Sequence, residues 1–203
     1  MEVRLIACTE KPEEIIEKAY LSCRNKYDDV ENIRKKRTFE ERIAIIFTSG
    51  HFSVLEHANA TFLITGISRA CSHQLVRHRI ASYSQISLRH TDAENLEFIV
   101  PTDIRNNIKA FKLYRALIED AKKTYKELRA LGIKQEDARF CIPMGIETQI
   151  IFSMNFRSLI HFLKLRMAPN AQWEIRELAK NIHNLMKNVA PNVFNDKYKQ
   201  YWE

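Results

Sequence analysis

The stretch DIRNNIKAFKLYRALIEDAKKTYKELRAL, residues 103–131, sets the frame for the rest of the chain. Ile104, Ile108, Phe111, Tyr114, Ile118, Ala121, Tyr125 and Leu128 recur at steps of three and four, the period of one helix face. The opposite face is charged, and Glu119 and Lys123 stand at the favourable i,i+4 spacing. Gly132 closes the pattern, so a long amphipathic helix is expected over 103–131.

Outward from it the elements are shorter and irregular in order. Toward the C-terminus, 135–140 reads as a short helix stopped before Pro143, and 148–154 as a strand. Helices follow over 157–167, ended by Pro169, and over 171–189, with a short one after Pro191. Toward the N-terminus, 97–100 reads as a short strand before Pro101, 67–77 as a helix, and 58–65 as a strand rich in Thr, Phe and Ile. Thr38-Phe-Glu-Glu41 is a capping-box pattern opening a helix that ends at Gly50. Residues 24–37 are basic and polar, a loop or surface helix; 11–23 reads as a helix and 1–8 as an alternating strand. Strands and helices interleave without a repeat period or a low-complexity linker. The expectation is an α+β fold, a single domain over 1–203, with a small, mainly antiparallel sheet flanked by helices.

Composition narrows the function classes. At 203 residues, 45% hydrophobic and 28% charged, the chain is long enough for a sizeable core and ordinary for a soluble globular protein. Gly50, Gly66, Gly132 and Gly145 are far apart, so a G-x-G-x-x-G turn and a phosphate-binding P-loop are both absent. The longest apolar run, 43–47, is far short of a membrane span, and the N-terminus has no signal-peptide core. Cys8, Cys23, Cys71 and Cys141 form no C-x-x-C pair and read as reduced thiols of a cytoplasmic protein.

The net charge of +7 favours anionic partners, and it is concentrated. Residues 57–91 contain no Asp or Glu, yet hold Arg69, Arg77, Arg79 and Arg89 and the histidines His57, His73, His78 and His90. Arginine in place of lysine suits bidentate contact with phosphate or carboxylate. Within this window stands Arg77-His78-Arg79-Ile-Ala-Ser-Tyr83-Ser-Gln85-Ile-Ser87-Leu88-Arg89. If extended, it puts Arg77 and Arg79 on one face, and Gln85, Ser87 and Arg89 on one face. Such donors fit an oxyanion with a heterocycle beside it.

On 157–167, Leu159, Phe162, Leu163 and Arg166 share one face, so a guanidinium lies on an apolar stripe. It needs an anion, either an internal carboxylate such as Glu174 or Glu136, or a ligand. Arg157 and His161 are one turn apart on another face. Glu136 and Arg139 stand at i,i+3 on the short helix, a stabilising pair or one more arginine for a basic cleft. His51 and His57, six apart with Glu56 between, do not have metal-binding helix spacing, and no metal is expected. A non-enzymatic nucleic-acid-binding module built on 57–91 is the alternative. Against it, Tyr83 is the only aromatic residue between 63 and 97, which leaves little for base stacking.

Taken together the segments resemble the flavin-dependent thymidylate synthases. The family signature, R-H-R followed by seven residues and Ser, stands here as Arg77-His78-Arg79 to Ser87. His51 with Glu56-His57, Glu136-x-x-Arg139, Asn155-x-Arg157-Ser-Leu, Leu165-Arg166 and Ala171-Gln172-Trp173-Glu174 fall in family order, so the resemblance spans essentially the whole chain. It implies reductive methylation of dUMP to dTMP, with 5,10-methylenetetrahydrofolate as one-carbon donor and FAD, reduced by NADPH, as hydride source. It also implies a homotetramer with active sites at subunit interfaces, acting on small molecules and on neither nucleic acid nor membrane.

Carried over by position, Gln74, Arg77, Gln85, Ser87, the Leu88 backbone, Arg89, Arg139 and Arg166 would hold dUMP. Arg166 would be catalytic by promoting ionisation at N3 of the uracil. Ser53, Arg77, His78, Arg79, Gln85, Asn155, Arg157 and His161 would contact FAD, with His51 and Glu56 lining the flavin or folate site. Leu88, His90, His161 and Asn170 depart from common family residues. No cysteine lies within the matching motifs, so activation by a thiol nucleophile is not expected.

Overall fold

The structure is a computed structural model describing residues 1–95 and 97–202, with Asp29, Val30, Glu31 and Glu94 described through their backbone alone. In chain order its elements are β1 (Glu2–Cys8), α1 (Pro12–Ser22), α2 (Val30–Lys36), α3 (Phe39–Thr48), β2 (Asn59–Ser68), α4 (Arg69–Leu75) and β3 (Ser82–Gln85). Then come α5 (Thr102–Asn106), α6 (Ile108–Ala130), α7 (Gln135–Ala138), β4 (Glu147–Asn155), α8 (Phe156–Met167) and α9 (Trp173–Val189). Short 3-10 turns include Phe52–His57 and Asp196–Tyr201. The four strands form one antiparallel sheet in the order β1-β2-β4-β3, so the fold is α+β as the interleaved pattern implies.

Two compact units interleave along the chain. One comprises residues 1–2, 64–77 and 84–150; the other comprises 3–63, 78–83 and 151–203. In the first, Tyr125 of α6 is fully buried with Leu88, Ala93, Ala138 and Ile146, and Phe98, Leu128, Cys141 and Ile142 pack on that cluster. Gly145 admits this packing. A Cβ there would collide with the Tyr114 hydroxyl, which donates to the Ile99 carbonyl at 2.9 Å. Gly66, near the end of β2, adopts φ +69°, a left-handed conformation that side chains rarely take, with the backbone of Met1 close by.

In the second unit the core is aromatic and aliphatic. Phe62 of β2 stacks on Phe152 of β4 at 5.1 Å, Phe156 meets Phe194 edge-on at 5.0 Å, and Phe47 of α3 stacks on Tyr198 at 4.6 Å. The α3 start has the expected capping box, with Glu41 N donating to Thr38 Oγ1 and Thr38 N donating to the Glu41 carboxylate. Asp196 ties the last turn down through Lys187 at 2.6 Å and Lys199 at 2.8 Å, and both cations hold its carboxyl down at about 2.

Three sequence expectations change. The helix expected over 103–131 is broken at Asn107, which is extended at φ −108°, ψ 108°. Its Oδ1 accepts from the N–H groups of Lys109 and Ala110, so α6 starts afresh at Ile108. The strand expected over 97–100 is reduced to a single antiparallel bridge, Phe98 to Ile146, with Pro101 cutting it short. The segment 77–89 is extended only over Ser82–Gln85. Beyond it a turn forms, in which the N–H groups of His90 and Thr91 both donate to the Ser87 carbonyl.

Candidate active site

The first unit carries Gln74, Arg77, Gln85, Ser87, Leu88, Arg89 and Arg139. Helix α4 begins at a cap, Ser68, whose side chain accepts from Cys71 N, and so presents Arg69, Ser72 and Gln74 in order along one short element. Ser72 is fully buried and donates its hydroxyl hydrogen to the Arg69 carbonyl at 3.0 Å. Toward Gln85 the same oxygen can therefore only accept. Gln85 Nε2 donates to it at 2.9 Å and to Thr148 Oγ1 of β4 at 3.0 Å. Both amide hydrogens are thereby used, and the orientation leaves Gln85 Oε1 as an acceptor. That suits a ring N–H donor of a bound ligand.

Beside it, Arg69 Nη2 donates to the Ile86 carbonyl at 2.7 Å and holds the middle of Gln85-Ile86-Ser87. Its Nε is buried without a hydrogen-bond partner, and burial together with the Arg139 charge lowers its pKa. Sequence reading gave Arg69, Ser72 and Thr148 no site role. Arg69 lies in the acid-free window, the one sequence signal it has; nothing in the sequence places Ser72 or Thr148 against Gln85.

The arginines of this unit are held differently from expectation. The Glu136 carboxylate pairs with Arg89 Nε at 2.9 Å, while Arg139 Nε donates to the Glu136 backbone carbonyl at 3.0 Å. The i,i+3 side-chain pair does not form, because Arg89 takes the carboxylate. The Leu88 side chain is buried, so its backbone alone is left for a ligand. Gln74 and Ser87 are half-buried and Arg77 is exposed.

The second unit carries His51, Ser53, Glu56, His78, Arg79, Asn155, Arg157, His161 and Arg166. Asn155 caps α8, its Oδ1 accepting from Ser158 N at 2.8 Å, and this start fixes the phase of the helix. Leu159, Phe162 and Leu163 are then fully buried, and Arg166 emerges half-buried at the end of their stripe. Arg166 Nε donates to His78 Nε2 at 2.9 Å, and Glu136 is engaged with Arg89. Burial first, then the charges of Arg166 and His161, push the His78 imidazole down to about 4, so it is neutral near pH 7.

The His78 ring meets Phe162 edge-on at 5.0 Å and His161 at 6.2 Å. The Tyr83 hydroxyl donates to the His78 carbonyl at 2.8 Å, and burial pushes that phenol up to about 12. Arg157 pairs with Glu56 at 2.7 Å on an open surface. His51 is half-buried with its ring 5.9 Å from Tyr20; Ser53 and Arg79 are exposed.

A family model described as thymidylate synthase complementing protein matches residues 4–192. The chain belongs to this family. Curated relatives named flavin-dependent thymidylate synthase agree with that placement. One from Geobacter sulfurreducens is 42% identical over 201 residues, covering 97% of this chain and 86% of that protein. One from Thermococcus onnurineus is 40% identical over 198 residues, covering 93% and 80%. One from Clostridium tetani is 35% identical over 214 residues, covering 96% and 85%. The R-H-R-x7-S segment thus runs here from the turn after α4, through the following loop and β3, to just beyond that strand, and every site residue carried over by position lies inside the matched span.

Proposed function

We propose that this protein is a flavin-dependent thymidylate synthase, converting dUMP to dTMP with 5,10-methylenetetrahydrofolate as one-carbon donor and NADPH as reductant. The family match over residues 4–192, spanning both units, carries this reading. The residues present fit FAD. Arg77, Arg79 and Arg157 offer guanidinium donors to a pyrophosphate, and Ile80, 72% exposed and next to Arg79 in sequence, offers an apolar surface to a ring. With Ser53, His78, Gln85, Asn155 and His161 they would hold the cofactor, lined by His51 and Glu56. The bound flavin supplies the hydride that reduces the transferred carbon.

Gln74, Arg77, Gln85, Ser87, the Leu88 backbone, Arg89 and Arg139 bind dUMP in this reading, the arginines at its phosphate and Gln85 through its fixed acceptor. Arg166 stabilises negative charge developing on the uracil at N3. A half-buried guanidinium held at Nε by a neutral imidazole is suited to that task, since its field is less screened there than in open water. The enzyme works as a homotetramer in the cytoplasm. Exposed Leu113 and Leu117 on α6 and Phe140, 85% exposed, support assembly, and four free cysteines support a reducing compartment. Among the described residues no helix is long and apolar enough to cross a membrane.

The purified protein, loaded with FAD, should be yellow, should bleach with NADPH and should make dTMP from dUMP only when methylenetetrahydrofolate is present. A colourless preparation that leaves dUMP unchanged in excess FAD contradicts the assignment.

A further inference from the structure

We propose that His78 is a positioning residue for Arg166: its imidazole accepts the Arg166 Nε hydrogen and so fixes the plane of the guanidinium presented to the substrate. The inference rests on the reading of Arg166 as the group that stabilises charge on the pyrimidine. The geometry is specific. The Arg166 Nε to His78 Nε2 distance is 2.9 Å, which puts the acceptor lone pair on Nε2 and the imidazole proton on Nδ1. Nε lies at the root of the planar fork, so an anchor there sets the orientation of both terminal nitrogens together.

The anchor is itself held. The His78 ring stands edge-on to Phe162, one turn before Arg166 on α8, and the His78 carbonyl is fixed by the Tyr83 hydroxyl at 2.8 Å. The Tyr83 ring in turn lies along Phe152 at 6.1 Å. Imidazole and guanidinium are thus referred to neighbouring points of one packed wall.

The choice of acceptor matters chemically. A carboxylate at this position would hold Arg166 as firmly, but it would neutralise the charge the reaction needs. A neutral imidazole at Nε orients the cation and adds no negative charge of its own. Burial and the charges of Arg166 and His161 keep the ring neutral, which favours this role over that of a second cation.

A double-mutant cycle on the holoenzyme tests the inference, with turnover expressed per bound flavin at saturating dUMP. Arg166→Ala alone is expected to lower kcat by about 100-fold or more, and His78→Leu alone by about 10- to 50-fold with the dUMP KM changed less than about threefold. In the Arg166→Ala background, adding His78→Leu should cost at least about fivefold less in kcat per bound flavin than it does alone, because the part of the loss that runs through the arginine is already gone, whatever the ring also contributes to holding FAD. His78→Gln keeps an acceptor and should restore turnover to within about fivefold of wild type, which also serves if the leucine variant does not fold.

A readout independent of turnover is the pH at which bound dUMP, isotope-labelled at N3 and followed by NMR, loses its N3 proton. It should rise in His78→Leu and return in His78→Gln. If His78→Leu costs the same in both backgrounds, or if His78→Gln is as slow as His78→Leu, the inference is overturned while the role of Arg166 stands. If Arg166→Ala turns over normally, the reading of Arg166 falls and this inference falls with it.

Discussion

Ser72 has one hydroxyl hydrogen and gives it to the Arg69 carbonyl, and that choice decides which end of the Gln85 amide faces inward. Replacing Gln85 by Leu should strand the buried Thr148 and Ser72 oxygens. A lost hydrogen bond that leaves buried partners unsatisfied costs about 1–3 kcal/mol, so thermal unfolding should show a clear loss, whereas Gln85→Asn should lose less if its shorter amide still reaches one partner. His78 gives a pH prediction whose sign follows from its shift. Its pKa falls from 6.5 in the free state to about 4 when folded, so the unfolded chain binds the proton more readily. The stabilisation of wild type relative to His78→Gln should therefore be full above pH 6.5 and shrink as pH falls toward 4, read by thermal unfolding of both proteins across that window. The groups facing the imidazole, Arg166 and His161, reinforce the direction, because each repels a proton added there.

Among the elements, α6 shows where periodicity misleads. Ile104 and Ile108 continue the three-four spacing upstream, yet Ile108 is 71% exposed, because Asn107 turns the chain and resets the helix phase. The Asn-Asn pair before Ile108 is a legible cap signal, but the apolar count outweighs it. Asn107→Ala removes two N–H contacts at the α6 start and should destabilise the protein by about 1 kcal/mol, with Asn107→Asp or Asn107→Ser retaining most of the stability in denaturant titrations. At Thr38 the cap was legible because the whole device, Thr38 with Glu41, is local in sequence. The turn after β3 was not, since the carbonyl of Ser87 gathers the His90 and Thr91 N–H groups in a way that alternation cannot foretell.

At the scale of the whole molecule, what could be read in advance is what rests on short range. The mixed α+β composition and most element positions follow from caps, prolines and periodicity. The R-H-R-x7-S spacing picks out the site segment. The strand order β1-β2-β4-β3 is not written in any local pattern, because the central β2–β4 pair joins segments about 90 residues apart, as the Thr61 to Ser153 hydroxyl contact at 2.8 Å shows. The same limit hides the His78 acceptor of Arg166, which lies on a loop 88 positions away.

Assembly is the remaining property at this scale. Leu113 and Leu117 stand one helical turn apart on α6, 74% and 52% exposed, on a helix whose Ile118, Ala121 and Tyr125 already serve the core. Covering the exposed part of these two leucines gains about 1–2 kcal/mol each, a driving force that the proposed homotetramer can use. Leu113→Glu with Leu117→Glu should leave the folded secondary structure intact, since neither side chain packs in the core, while shifting the protein to a smaller species in sedimentation. If the double variant sediments as wild type does, the α6 face has no part in the proposed tetramer.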